Sequence, residues 1–466
     1  MGGARKWRWA ALLALAWAPF AQAQDPGEAR FRALYKELVE INTTLSAGDC
    51  TRAARAMAAR LTAGGIPAGD VQIVIPPGMP KMGNLVAALR GTDAGAKAIL
   101  LLAHIDVVEA DRADWARDPF TLVEESGYFT ARGASDDKAM AAIFTDLLIR
   151  YREEGWRPKR TIKLALTCGE ETPNHFDGAR YLAENHRALI DAAFALNEGG
   201  GGLLDAQGQP YFLAVQAGEK IYQDYRLRVI NPGGHSSRPV KDNAIYRLAA
   251  ALEKIAAYDF PIAVNEAVRG YYAAMAKIDR APDLAAAAKA NPDPAVLARL
   301  AADPARNAMM RTTCVATQLS AGHAPNALPQ NAEANVNCRI LPGVAQEAVR
   351  QQLIAVIADA QVAVSFVDPP EKTGPPPPLT SAILTPVRAA ADSLWPGLPI
   401  APVMTTGATD ARFLTPAGIP TYGISGLLSD ADGGGTHGLN ERIRVKTVLD
   451  GRTFLYRLVK LYSGGS

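Results

Sequence analysis

The sequence predicts an α/β protein: a sheet covered by helices on both faces, with a second, ferredoxin-like α+β domain inserted into it. Three observations carry this expectation. Largely apolar runs at 84–90, 98–103 and 161–167 alternate with helical stretches, and strands that are apolar on both faces belong in sheets buried on both sides. From residue 222 the chain changes to apolar–polar alternation, the pattern of a half-exposed strand. With 466 residues, the chain also exceeds what one hydrophobic core ordinarily serves.

Taken in order, the chain opens with Arg5, Lys6 and Arg8, an apolar run at 9–20 and the small-x-small signal Ala21-Gln22-Ala23. This reads as a secretory signal peptide spanning 1–23. The run is shorter than the roughly 20 apolar residues a membrane anchor needs, and no later segment is long and apolar enough to span a bilayer. The mature chain is therefore expected to be secreted and soluble, in a bacterial periplasm. Helices are expected at 31–41 and 50–63, the second closed by Gly64-Gly65, and at 139–152 between two strands. Strand 222–230, helix 242–258, strands 312–319 and 332–340, helix 345–359 and strand 361–367 follow in the order β-α-β-β-α-β, the split βαβ of ferredoxin-like domains. An Ala-rich insert at about 261–309 interrupts it and reads as helices. The proline-dense stretch 369–378 reads as a stiff linker. After it, a helix at 382–395 and short strands return to the first style. The domains are thus 24–217 with 371–466, and 218–370 inserted between them.

Composition removes some functions. A formal charge of +2 gives no electrostatic case for nucleic-acid binding. Four cysteines are too few for a disulfide scaffold of this size. An exported chain permits one bridge, and Cys314 with Cys338, on neighbouring predicted strands, is the expected pair. Cys168 reads as a small buried apolar residue.

The chemistry begins at His104-x-Asp106, where a buried strand ends. Residues i and i+2 of a strand share a face, so the carboxylate can orient the imidazole as metal-binding histidines require. Similar clusters recur: Gly133-x-x-Asp136-Asp137-Lys138, Glu170-Glu171, Glu198 and His437-Gly438. In open α/β sheets ligands bind beyond the strand carboxyl ends, where His104 and Glu170 fall. Histidine and carboxylate without thiolate suit two catalytic divalent ions, zinc foremost, with cobalt or manganese also accepted.

In this order, together with Trp115-x-x-Asp118-Pro119-Phe120, Gly233-Gly-His235-Ser-Ser, Asn326-x-Leu-Pro329, Arg339-x-Leu-Pro-Gly343 and Gly407-x-Thr-Asp410-x-Arg412, the motifs give a resemblance. The chain is similar to the dizinc metallopeptidase family (M20) of glutamate carboxypeptidase, carboxypeptidase S, aminoacylase, acetylornithine deacetylase and succinyl-diaminopimelate desuccinylase. That resemblance implies a phosphorylase/aminopeptidase-like zinc-hydrolase sheet carrying a lid and dimerisation domain. It implies that Asp136 bridges two metals, His104 and Glu198 completing one site, Glu171 and His437 the other. Asp137 is the rival bridge. Glu170 would be the general base, Asp106 would orient His104, and His235 would stabilise the oxyanion, often in the partner subunit's site. Asn326, Arg339, Gly407 and Asp410 would bind substrate. His175 follows the Glu-Glu loop closely enough to line the pocket, whereas His186 and His323 read as surface residues.

The chain departs from the family pattern at Ala139, where a glycine is usual, and in the Ala-rich insert, which puts the lid-to-lid homodimer in question by covering or extending its edge. Glu198, rather than Asp, goes with acylases and carboxypeptidases. The expected function is an exported zinc-dependent amidohydrolase cutting an amide bond beside a free carboxylate, in a small peptide or an N-acyl amino acid. The rivals are an aminopeptidase or dipeptidase on the same scaffold and a silent periplasmic binding protein. Lid closure is expected to hinge near 216–219 and 368–374.

Overall fold

In the computed structural model of the chain, which describes residues 27–172 and 175–465, nine strands form one mixed sheet. The expected signal peptide lies outside the described residues. Across the sheet the order is Val71–Val74, Asn84–Leu89, Ile162–Thr167, Ile99–His104, Phe194–Asn197, Thr421–Gly423, Pro210–Glu219 and Ile400–Thr405, with Gly202–Leu204 beside Pro210–Glu219. Ile162–Thr167, Ile99–His104, Phe194–Asn197 and Thr421–Gly423 run parallel to one another.

The apolar run that ends at His104 is buried at every position because helices cover both faces. Ile99, Leu101 and Ala103 pack with residues of the helices Glu28–Glu40, Cys50–Ala63, Lys138–Glu153 and Val445–Ser463. Leu100 and Leu102 pack on the other side, with Leu182, Ile190 and Leu414. Burying such a side chain stabilises the fold by about 1.5–3 kcal/mol, so the strand is anchored on both faces up to the histidine. No helix among the described residues is long and apolar enough to cross a membrane.

The second unit is a four-stranded antiparallel sheet in the order Thr313–Ala321, Asn331–Ile340, Ile221–Ile230 and Ala363–Phe366. Its helices Ala244–Ala256 and Gln346–Ile357 share one core with Tyr225, Leu227, Val336 and Cys338. The long strands alternate buried and more exposed positions, because only one face carries helices. The chain enters it after Glu219 and leaves it through the extended stretch 367–380.

The Ala-rich insert folds as four helices between Glu266 and Met310, but it covers the outer strands of the large sheet. Val268, Tyr272 and Met275 share a core with Phe212, Ala214, Ala401 and Met404. Gly270 makes the approach possible, since a Cβ there would lie 2.8 Å from Pro402 Cγ. The insert therefore leaves strand Thr313–Ala321 at the edge of the smaller sheet uncovered, with Val315 and Leu319 exposed.

All four cysteines are bridged. Cys314 pairs with Cys338 across adjacent strands, as the sequence suggests. The reading of Cys168 as merely a buried apolar residue is corrected: it is buried, but bonded to Cys50 across 118 residues. That bridge ties the start of helix Cys50–Ala63 to the segment leading into Glu170. Opening the ring should cost about 2–4 kcal/mol, so Cys50→Ser with Cys168→Ser should lower Tm by several degrees in calorimetry. An unchanged Tm would mean the bridge does not form.

Candidate active site

Strand register explains how distant residues meet. His104 sits opposite Thr167 on the parallel neighbour, and Phe194–Asn197 flanks the same strand. The three carboxyl ends therefore open on one crevice and deliver His104, then Glu170 and Glu171, then Glu198. His104 is 1% exposed. Its Nδ1–H donates to the main-chain oxygen of Asp106 at 3.1 Å, so Nε2 faces Asp136 Oδ1 at 3.0 Å and Glu198 Oε2 at 3.8 Å. His437 Nε2 lies 3.0 Å from the other Asp136 oxygen and 2.9 Å from Glu171 Oε1. Each oxygen of one carboxylate thus meets a different imidazole.

This donor set fits two cations. A ring nitrogen whose proton sits on the opposite side presents a lone pair, and a lone pair 3.0 Å from a carboxylate oxygen needs a positive centre near both. Potential ligand atoms of His104, Asp136 and Glu171, and of His104, Glu170 and Glu198, lie within 4.8 Å of one another. Burial, opposed by His104 and reinforced by Glu171 and Asp106, pushes Glu170 up to about 8. Burial also pushes Glu198 well above the usual range, with Asp136 and Glu170 adding to it against His104. Positive charge in the crevice would oppose that shift and favour the carboxylate form.

Asp137, the rival bridge, is buried and meets neither imidazole through its side chain; Asp136 holds the shared position. Asp106 orients His104 differently from the sequence expectation. Its main-chain oxygen takes the ring N–H, its carboxylate stands off at 3.6 Å, and Oδ2 accepts the Glu171 N–H at 3.0 Å.

Two supporting residues escaped the sequence reading. Glu441 is fully buried and accepts main-chain N–H groups of Gly133, Ser135 and Asp136 at 3.2, 2.8 and 3.2 Å. Arg132 donates to Glu441 at 2.7 Å and to the main-chain oxygen of Gly438 at 2.9 Å, tying the Asp136 loop to the His437 loop. Gly133, at φ 80°, has no room for a side chain: a Cβ would meet Val107 Cγ1 at 2.7 Å. No local pattern marks a charge pair separated by 309 positions.

A cleft of about 640 Å³ between the two units is lined by Glu170, Glu171, His437, His175, Arg339 and Gly407. Arg339 stacks on Tyr222 at 4.7 Å. Arg412 also lines the cleft, 3.5 Å from Asp177 Oδ2, and the sequence reading passed over it for its neighbour. Asp410 is a correction: it is 1% exposed and accepts from Thr167 Oγ1 at 2.8 Å, behind the cleft wall rather than against substrate. His235 and Asn326 do not reach the cleft. They lie at a separate two-stranded pairing of Gly234–His235 with Ala327–Leu328, where His235 is exposed and accepts the Ser237 N–H at 3.1 Å. His186 packs edge-on to Tyr181, and His323 is exposed.

Known proteins resemble the chain in sequence and in fold. The chain is 28% identical over 385 residues to the N-fatty-acyl-amino acid synthase/hydrolase PM20D1 of Homo sapiens, covering 80% of this chain and 75% of that protein. It is 27% identical to the probable carboxypeptidase S-like 2 of Dictyostelium discoideum, covering 81% and 74%. In fold it is similar to the M20 family metallo-carboxypeptidase Sso-CP2 from Sulfolobus solfataricus, with a TM-score of 0.70 at 17% identity, covering 93% and 99%. A family model for peptidase family M20/M25/M40 matches residues 100–461. That span runs from the strand that ends in His104 through nearly all of the last helix, and with it the chain belongs to peptidase family M20/M25/M40, a family of metallopeptidases and amidohydrolases.

Proposed function

We propose that the protein is an exported metal-dependent amidohydrolase that cuts an amide bond beside a free carboxylate, in N-acyl amino acids or at the carboxyl end of short peptides. The carrying observation is Asp136, whose two oxygens each face an imidazole at 3.0 Å with Glu170 in the same crevice. His104, Asp136 and Glu198 would hold one divalent ion, and Glu171, Asp136 and His437 the second, zinc by donor type. When bound, such ions supply the positive charge that acidifies water and offsets charge developing on a carbonyl oxygen.

The chain's own residues do the rest. Glu170 takes a proton from the attacking water as its oxygen bonds to the carbonyl carbon, then delivers that proton to the amine nitrogen as the C–N bond breaks. Arg339 receives the substrate carboxylate; a guanidinium fork matches a carboxylate bidentately. The names of PM20D1 and carboxypeptidase S-like 2 support this substrate class. Two disulfides with no free cysteine support an oxidising compartment, hence export. His235, exposed and outside the cleft, would act as oxyanion donor in a partner's site. The uncovered strand edge with Val315 and Leu319 supports that homodimer. Closure of the lid over the crevice would bring Arg339 to the substrate and expel water.

Purified protein should carry about two zinc equivalents and lose hydrolysis of N-acyl amino acids on chelation, recovering when zinc is restored. Activity in metal-free protein, or an absolute need for a free α-amine, would sink this reading, the second in favour of an aminopeptidase or dipeptidase.

Glu170→Ala should keep its metal yet lose about 10²–10⁴ in kcat, whereas Glu171→Ala should lose metal from one site. Equal metal loss in both variants would mean this assignment is wrong.

His235→Ala should likewise lower kcat with metal content intact. Mixing His235→Ala with Glu170→Ala subunits should restore part of the activity, because a mixed dimer contains one site with both groups. No recovery in a verified mixed dimer would place His235 in its own subunit's site.

A further inference from the structure

The cleft does not end at the ligand cluster. Beyond Tyr222, Glu371, Ala408 and Arg412, which line both spaces, it continues into a chamber at the crossing between the two units. The far walls of that chamber are Gly218 and Ile221 from the chain entering the lid, Pro375, Pro376 and Pro377 from the chain leaving it, and Ala411. Resting on the proposed amidohydrolase activity, we infer that this chamber receives the aliphatic side chain of the amino acid whose carboxylate Arg339 holds.

Three observations favour that occupant. The first is composition: prolines carry no N–H, so the wall offers water few hydrogen-bond donors. The charged neighbours are largely engaged elsewhere. Glu219 Oε2 accepts from the Thr409 N–H at 3.0 Å and its hydroxyl at 2.8 Å, Lys220 Nζ donates to Thr313 Oγ1 at 3.3 Å, and Arg412 faces Asp177. Two buried atoms there are exceptions without a partner, Arg412 Nε and Glu219 Oε1. A cationic side chain drawn to that oxygen would also face Lys220, Lys372 and Arg412 on the same walls.

The second is size. About 60 Å³ is free to water-sized atoms, and at about 10–15 Å³ per such group that holds roughly four to six, enough for a leucine or isoleucine side chain. A long fatty chain does not fit. The third is position. The carboxylate and the side chain leave the same Cα, and the chamber opens at Tyr222, the ring on which Arg339 stacks. The acyl group lies across the scissile bond, toward the open part of the cleft.

The test is a kcat/KM series for the zinc-loaded enzyme on N-acetyl glycine, alanine, valine, leucine, tryptophan and glutamate, with N-hexanoyl and N-lauroyl leucine added to read acyl length, repeated with Ala411→Leu. Wild type should favour leucine over glycine by tenfold or more, the range that added methylenes give in an apolar pocket, and should fall off at tryptophan. Ala411→Leu, checked for native Tm and metal content, should lower the leucine-to-glycine ratio by tenfold or more while leaving the preference for acyl length unmoved. A flat wild-type series, glutamate above leucine, or an unchanged ratio in folded Ala411→Leu would overturn the chamber. So would a shift in acyl preference in its place. The wild-type series stands even if the variant fails to fold. No hydrolysis of any N-acyl amino acid or peptide would instead overturn the amidohydrolase reading, and the chamber with it.

Discussion

Asp136, Glu170, Glu171 and Glu198 come from three loops yet crowd the same two imidazole rings, and carboxylates held this close in a buried crevice stay ionised only beside positive charge. The surroundings fix the loops that carry them through main-chain N–H groups. Asp106 takes the Glu171 N–H, Glu441 takes three N–H groups of the Asp136 loop, and Asn84 Oδ1 takes the Cys168 N–H at 3.0 Å just before Glu170. The Asp136 and Glu170–Glu171 loops are thus pinned by acceptors that leave their carboxylate oxygens free. Arg132, the guanidinium that neutralises Glu441, is spent on positioning: both partners are almost wholly buried. Removing one partner of such a pair leaves a bare buried charge, typically a loss of about 3–5 kcal/mol, and here the strain would fall on the loop that carries Asp136.

How much of this was legible in the sequence follows from how local each cause is. The strand before His104 declares itself because burial on both faces demands six apolar residues in a row. The ferredoxin-like order was readable because each strand has one wet face. The cluster of His104, Asp136, Glu171 and His437 was legible by resemblance, since its short motifs stand in a recognisable order along the chain. The Arg132–Glu441 pair and the Cys50–Cys168 bridge were not, because both join segments more than a hundred positions apart, which only the folded sheet brings together. Asp410 shows the opposite failure. It sits in a recognisable motif, but the motif does not say which of its charges faces the cleft, and Arg412 takes that place.

The insert was legible as helices but not in its placement, because an Ala-rich face packs equally well on many apolar surfaces. Its position changes how the two units are joined. Beyond the two chain crossings near Glu219 and residues 367–380, helix Glu266–Ile278 forms a third attachment, clamped on Ile400–Thr405 through Gly270 and Pro402. That same core includes Leu341, immediately after strand Asn331–Ile340 of the lid. A closing motion that slid the insert along the sheet would expose apolar surface, at about 25 cal/mol per Å². A rotation that kept the insert seated would expose almost none. The third attachment would therefore favour a pivot on the insert side, and closure about that pivot would swing the lid's far edge, where Thr313–Ala321 is uncovered, through the larger arc. The proposed chamber lies at the crossings, and its rim at Tyr222, the strand partner of Arg339, would travel with Arg339 through a smaller arc than that edge. A pocket that selects by size is best placed where the hinge moves least.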